Sequence, residues 1–138
     1  MADEGVVLCL DYGERYVGVA ITDVDGEIAL RYSVVDTRDD DVLDEVEAMV
    51  EEEDVSKILV GVPRSLSGEE SDQTHICLAF VEDLRDRLPS MPIEEVDETF
   101  TSLEAERTVA AEGSKKEEAH AEAARLMLES YLKQHVEL

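Results

Sequence analysis

The chain has 138 residues, 43% of them hydrophobic, which is enough to bury one core and predicts a single domain over 1–138. No run approaches the 18 apolar residues of a membrane span, and Met1-Ala2-Asp3-Glu4 lacks the basic-then-apolar order of a signal peptide, so a cytoplasmic protein with no membrane partner is expected. Thirty-six acids against twelve Lys plus Arg leave a formal charge of −24, spread along the whole chain. Such a surface suits concentrated salt, where a Debye length of about 3 Å at 1 M screens the repulsion.

In chain order, the apolar run Val6 to Leu10 reads as a central strand buried on both faces. Tyr16 to Ile21 and Ile28 to Val35 predict two more strands, joined by the turn-forming stretches "DYGE" and "DVDG". Val42, Leu43, Val46, Met49 and Val50 share a helical stripe behind Asp39-Asp40-Asp41, acids that suit a helix N-terminus. Lys57 to Pro63 predicts a second buried strand, and 64 to 72, with Gly68, an exposed loop. A helix follows from Asp72 to Leu88, with Ile76, Phe80 and Leu84 spaced by four, and then a short strand from Ile93 to Val96. "TSLE" at 101–104 and "SKKE" at 114–117 fit capping boxes that open helices over 101–111 and 115–134. Cys9 and Cys77 lie in core-like runs and are expected to be buried free thiols. The order predicts an α/β fold, a five-stranded mixed sheet flanked by helices, with right-handed crossovers between its parallel strands.

Ligands in such sheets gather at the carboxyl ends of the parallel strands. Asp11 closes the first buried run, and Asp97 and Glu98 close the last short one. Carboxylates that converge there repel one another, and a divalent cation resolves the repulsion. His120 shares a stripe with Ala123, Ala124, Met127, Leu128 and Tyr131, and so faces the sheet, either as a core histidine or as a third site group. Lys115 and Lys116, placed at a helix start, form a candidate phosphate site or a solvated turn. Arg64 follows the parallel strand that ends at Pro63, and Arg15 lies just past the first turn.

Four stretches, in order from about residue 6 to 132, carry a resemblance to one family. They are "LDYGERYVGVAITD", "ILVGVPRSLSGEESDQ", "VDETFTSLEAE" and "EEAHAEAARLMLESYL". Together they resemble the motifs of the YqgF/RuvX family, Holliday-junction-resolvase-like proteins also described as pre-16S rRNA nucleases. The resemblance implies an RNase H-like fold and a metal-dependent phosphodiester hydrolase built on three acids. Carried over, these are Asp11, Glu98 with Asp97 alongside, and a position in the last helix that here holds His120. The family has an acid there, within Val-Asp-x-x-Ala-Ala, where this chain reads Ala119-His120-Ala121-Glu122-Ala123-Ala124. Imidazole suits Mn²⁺ better than Mg²⁺, and either ion is the implied cofactor.

On this reading Asp11, Glu98 and His120 hold the metal, while Arg15, Arg64, Lys115 and Lys116 orient a nucleic acid, either precursor rRNA or branched DNA. Thr99 stands where the family motif carries a basic residue. Rival readings are a junction resolvase, for which a homodimer would make paired cuts, and a nucleic-acid-binding factor that has lost the chemistry. An actin-like ATPase shares the Asp-x-Gly hairpin but needs two such domains.

Overall fold

The computed structural model describes residues 5–64, 70–98 and 101–134, with backbone alone for 101–103. The expected acidic N-terminus, the loop around Gly68, Thr99 and the Thr101 cap therefore lie outside the described side chains. Five strands and four helices follow in the order β1 (Val6–Tyr12), β2 (Tyr16–Thr22), β3 (Ala29–Asp36), α1 (Val42–Glu53), β4 (Val55–Val62), α2 (Asp72–Arg87), β5 (Ile93–Asp97), α3 (Thr101–Glu112) and α4 (Glu118–Gln134). They form the one five-stranded mixed sheet that the sequence predicts, with the strands in the order β3-β2-β1-β4-β5. β1 to β3 pair antiparallel, and β1 with β4 and β4 with β5 pair parallel.

The period-2 alternation of the strands divides the core into two layers. Leu8, Leu10, Val17, Val19, Ile58 and Val60 pack on one face against Val46 and Met49 of α1 and Phe80, Val81 and Leu84 of α2. Val7, Cys9, Ala20 and Leu59 pack on the other against Ala124, Met127, Leu128 and Tyr131 of α4. Both cysteines are free and buried. Asp11 continues the parity of Val7 and Cys9, so it belongs to the α4 face, and it lies inside β1 rather than beyond its end. Among the described residues no helix is long and apolar enough to cross a membrane.

Helix starts follow from local chemistry. Asp41 caps α1 by accepting from the Asp44 amide at 3.2 Å. Ser71 caps α2 in a reciprocal box with Thr74, and the Thr74 hydroxyl donates to the Pro63 carbonyl, which ties the start of α2 to the end of β4. Two details differ from expectation. The core stripe of α2 runs through Cys77, Phe80, Val81 and Leu84, while Ile76 is exposed. The "SKKE" box does not form, because α3 takes Ser114 for its own ending. Gly113 is left-handed (φ +73°), its amide donates to the Ala110 carbonyl, and the Ser114 amide donates to the Val109 carbonyl, a Schellman closure. The Ser114 hydroxyl then bonds Glu112 at 3.2 Å. Lys115 and Lys116 consequently lie in the α3–α4 connection, and α4 begins at Glu118.

Candidate active site

Three neighbouring strands place Asp11 between two glycines: its partner is Gly18 on β2 and Gly61 on β4. A Cβ at Gly18 would collide with the backbone of His120 and Ala121, so α4 lies directly on the sheet at this row. A Cβ at Gly61 would strike the Met127 thioether and reach the side chain of Glu98. The missing side chains let the first turn of α4 and the residue after β5 close over Asp11, which is only 7% exposed. His120 Nδ1 stands 3.7 Å from Asp11 Oδ2, an ion-pair distance when the imidazole is protonated. Its ring tilts against Tyr16, with 5.7 Å between centroids.

Glu98, at the carboxyl end of β5, is buried and hydrogen-bonded to Asp11. Two carboxyl groups form such a bond only with a proton between them. Burial pushes the Glu98 carboxyl up to about 9, helped by that hydrogen bond and by the charges of Asp11 and Asp97. The same field reaches the thiols below. Burial first, then the charges of Asp11 and Glu98, push Cys9 far up. Burial and the charge of Glu98 push Cys77 up to about 11.

The cleft above these groups has a volume of about 500 Å³. Of the sequence-predicted residues it gathers Asp11, Glu98, His120 and Lys116. The others sit elsewhere. Asp97 is exposed and lines a separate cavity with Glu94, Glu95 and Tyr131. Arg15 pairs with Asp36 at 3.4 Å and stands over the Tyr16 ring. Arg64 pairs with Glu95 at 3.4 Å. Lys115 is exposed outside the cleft lining.

Gln73 and Glu106, to which the sequence assigns no role, also line the cleft. Gln73, on the first turn of α2, donates from its amide to the Tyr12 carbonyl at 3.3 Å. It closes the stretch "ILVGVPRSLSGEESDQ" that resembles the family's loop, and that motif is its signal in the sequence. Glu106 on α3 is one acid among thirty-six, and nothing local distinguishes it.

Asp11, Glu98 and His120 do not converge on one point. Among the described residues, only Asp23, Asp25 and Glu27 bring three ligand atoms within 4.8 Å of one another. That group lies on the β2–β3 turn, where Asp23 is occupied in accepting from the Glu27 and Ile28 amides at 2.8 and 3.1 Å. The cleft instead offers a carboxyl pair with an imidazole at its edge. This donor set fits Mg²⁺ or Mn²⁺, hard cations that take one or two carboxylates and keep several waters. It does not form a closed protein cage.

A five-stranded mixed sheet with an acidic pair on its central strand and beyond its edge strand defines an RNase H-like protein. RuvC from Thermus thermophilus has the same fold, with a TM-score of 0.55, 15% identity and coverage of 94% of this chain and 95% of that one. RuvC of the same organism in complex with a Holliday junction substrate matches with a TM-score of 0.54 at 14% identity, over 94% of each chain. The chain belongs to the RuvX family, described as Holliday junction resolvase, whose profile matches residues 5–134. Relatives named as pre-16S rRNA nucleases include one from Phocaeicola vulgatus, 37% identical over 91% of this chain and 94% of its own. Another, from Bacteroides fragilis, is 36% identical over the same shares. A third, from Chloroflexus aurantiacus, is 33% identical over 94% of this chain and 88% of its own.

Proposed function

We propose that this protein is a divalent-metal-dependent phosphodiester hydrolase that processes precursor 16S rRNA in the cytoplasm of a salt-adapted cell. The observation that carries the reading is the hydrogen-bonded pair Asp11 and Glu98 on the floor of an open cleft. The names of the relatives support the substrate.

Asp11 and Glu98 would hold the cation, with His120 as third ligand or as a proton carrier. When bound, Mg²⁺ or Mn²⁺ neutralises charge on the phosphate and makes water a better nucleophile. The protein does the rest. The glycines on either side of Asp11 let α4 and Glu98 close over its carboxylate. Burial of Glu98 stores a proton that must leave before the pair can accept a cation. His120, 38% exposed, can take a proton at Nδ1 and is then held by Asp11 Oδ2. Lys116 on the cleft wall orients the phosphate, and Lys115, Arg15 and Arg64 outside the cleft meet flanking phosphates. At molar salt the surrounding acids no longer repel the strand over long range.

The test compares wild type and Asp11→Asn on structured precursor rRNA and on a four-way DNA junction, in concentrated KCl with Mg²⁺ or Mn²⁺. Wild type is expected to cut the RNA, and Asp11→Asn to fold normally by circular dichroism and cut nothing. Mn²⁺-dependent cleavage retained by Asp11→Asn removes the proposal. Cutting confined to the junction would favour a resolvase, the reading that the family description and the fold of RuvC support; paired cuts would then call for a homodimer. RNA binding by wild type with no cleavage would favour a binding factor, which the histidine at position 120 makes a specific alternative.

A further inference from the structure

Beside the catalytic cleft lies a second cavity of about 350 Å³ between α3 and α4, lined by Glu106, Val109, Ala110, Ser114, Lys116 and Ala119. Its volume lies in the range of about 300–1,000 Å³ typical of small-molecule pockets. It shares Glu106, Lys116 and Ala119 with the cleft, so the two are compartments of one depression. Val109, Ala110 and Ala119 give it small apolar walls suited to a flat ring. At its boundary stand a carboxylate and an ammonium group. Glu106 supplies a carboxylate acceptor at the rim, beside the Ser114 hydroxyl, which donates to Glu112.

We propose that this cavity is a base-binding subsite that takes a guanine of the substrate strand, next to the phosphate in the cleft. The inference rests on the hydrolase reading and deepens it. A nucleotide whose phosphate sits over Asp11 and Glu98 has its neighbouring base within reach of an adjoining compartment. Lys116, common to both, stands where the phosphodiester between them must pass. The choice of base follows from donors and acceptors. The Watson–Crick edge of guanine presents two adjacent donors, N1–H and N2–H, which match the two oxygens of the Glu106 carboxylate. Adenine and cytosine each set a lone-pair nitrogen beside their amino group, and uracil flanks its N3–H with two carbonyls, so all three meet the carboxylate with at least one repulsive contact. Edges of this kind are free only in unpaired nucleotides, so the subsite selects a single-stranded segment.

The test is fluorescence anisotropy in EDTA with short oligouridines that carry one guanine, inosine or adenine. Wild type is expected to bind the guanine oligonucleotide about tenfold more tightly than the adenine one, the discrimination of one bidentate pair, with inosine between them. Glu106→Gln and the cavity-filling Ala110→Phe should each abolish the preference while circular dichroism is unchanged. Equal affinity of wild type for the three, or a preference that survives both variants, overturns the subsite. Parallel cleavage assays with Mn²⁺ separate this from the hydrolase reading. Cleavage without base preference overturns the subsite and leaves the hydrolase standing. Guanine preference lost in the variants, with no cleavage by any form, supports the subsite and overturns the hydrolase.

Discussion

Two of the described glutamates are almost wholly buried, Glu98 at 9% exposure and Glu122 at 1%, and they titrate in opposite directions. Glu122 on α4 receives the Nε and a terminal nitrogen of Arg125, each at 2.7 Å, and the Nε of Arg31 at 2.8 Å. These hydrogen bonds, that from Arg125 foremost, hold its carboxyl below the usual range. Arg31 also grips Glu112 with two bonds, of 3.0 and 2.9 Å, so the network ties β3, α3 and α4 together. The groups acting on Glu98 are acids, Asp11 and Asp97, and together with burial they drive its carboxyl up to about 9. A buried carboxylate needs a positive charge. For Glu122 the chain supplies it from among only twelve lysines and arginines. For Glu98 it supplies a proton, which a divalent cation can replace. The contrast separates a carboxylate that arginines neutralise from one that keeps its proton.

The contrast breaks most visibly by mutation. Glu122→Ala removes the anion from between two half-buried guanidinium groups and is expected to cost about 3–5 kcal/mol of stability in urea unfolding. Glu98→Gln should act the other way. It keeps the shape and a hydrogen bond to Asp11 but removes the group that resists ionisation. Free Glu98 ionises near 4.5 and folded Glu98 near 9. Between those values the folded protein holds a proton that the unfolded chain has lost, so this carboxyl lowers stability progressively as pH rises from 4.5 to 9. Glu98→Gln should therefore be more stable than wild type by at least about 1 kcal/mol at pH 8 in EDTA. The advantage should fade towards pH 4.5. Glu122 has the opposite sign: its contribution is full above 4.5 and lost as pH falls through its lowered folded value. Stability curves for both variants that run parallel to wild type across pH would remove the distinction.

The sequence makes Asp11 conspicuous because a carboxylate in an unbroken apolar run conflicts with burial unless it has a use. The mixed five-stranded sheet is equally legible, since β1 and β4 read as the continuous hydrophobic runs of strands buried on both faces, but the order of its strands is not. Glu122 shows the limit. In the sequence it is an acid within an alanine-rich helix, and its partner Arg31 lies on β3, so no helical spacing joins them. The helix start expected at Lys115 and Lys116 fails differently. Their capping motif is sound locally, but Ser114 is claimed by the closure of the preceding helix, a competition that spacing alone cannot resolve. Glu106 was hidden by composition, because in so acidic a chain one more acid on an exposed helix carries no information.

The smallest expected effect concerns His120. His120→Asp would set a third carboxylate near Asp11 in place of an imidazole 3.7 Å away. In EDTA the added like charge should make the proton on Glu98 harder to remove and lower stability at neutral pH. With a cation present, an oxygen donor replaces a nitrogen donor, which favours Mg²⁺ more than Mn²⁺. Isothermal titration calorimetry should show several-fold tighter Mg²⁺ binding in the variant and a smaller gain for Mn²⁺. In wild type, measurements in buffers of different ionisation enthalpy should show about one proton released per cation bound, the proton of Glu98. Unchanged affinities for both ions would mean that position 120 lies beyond the cation's reach, and the imidazole would then serve proton transfer alone. Asp11 and Glu98 would in that event bind the ion as a two-carboxylate site completed by water, which the open cleft already permits.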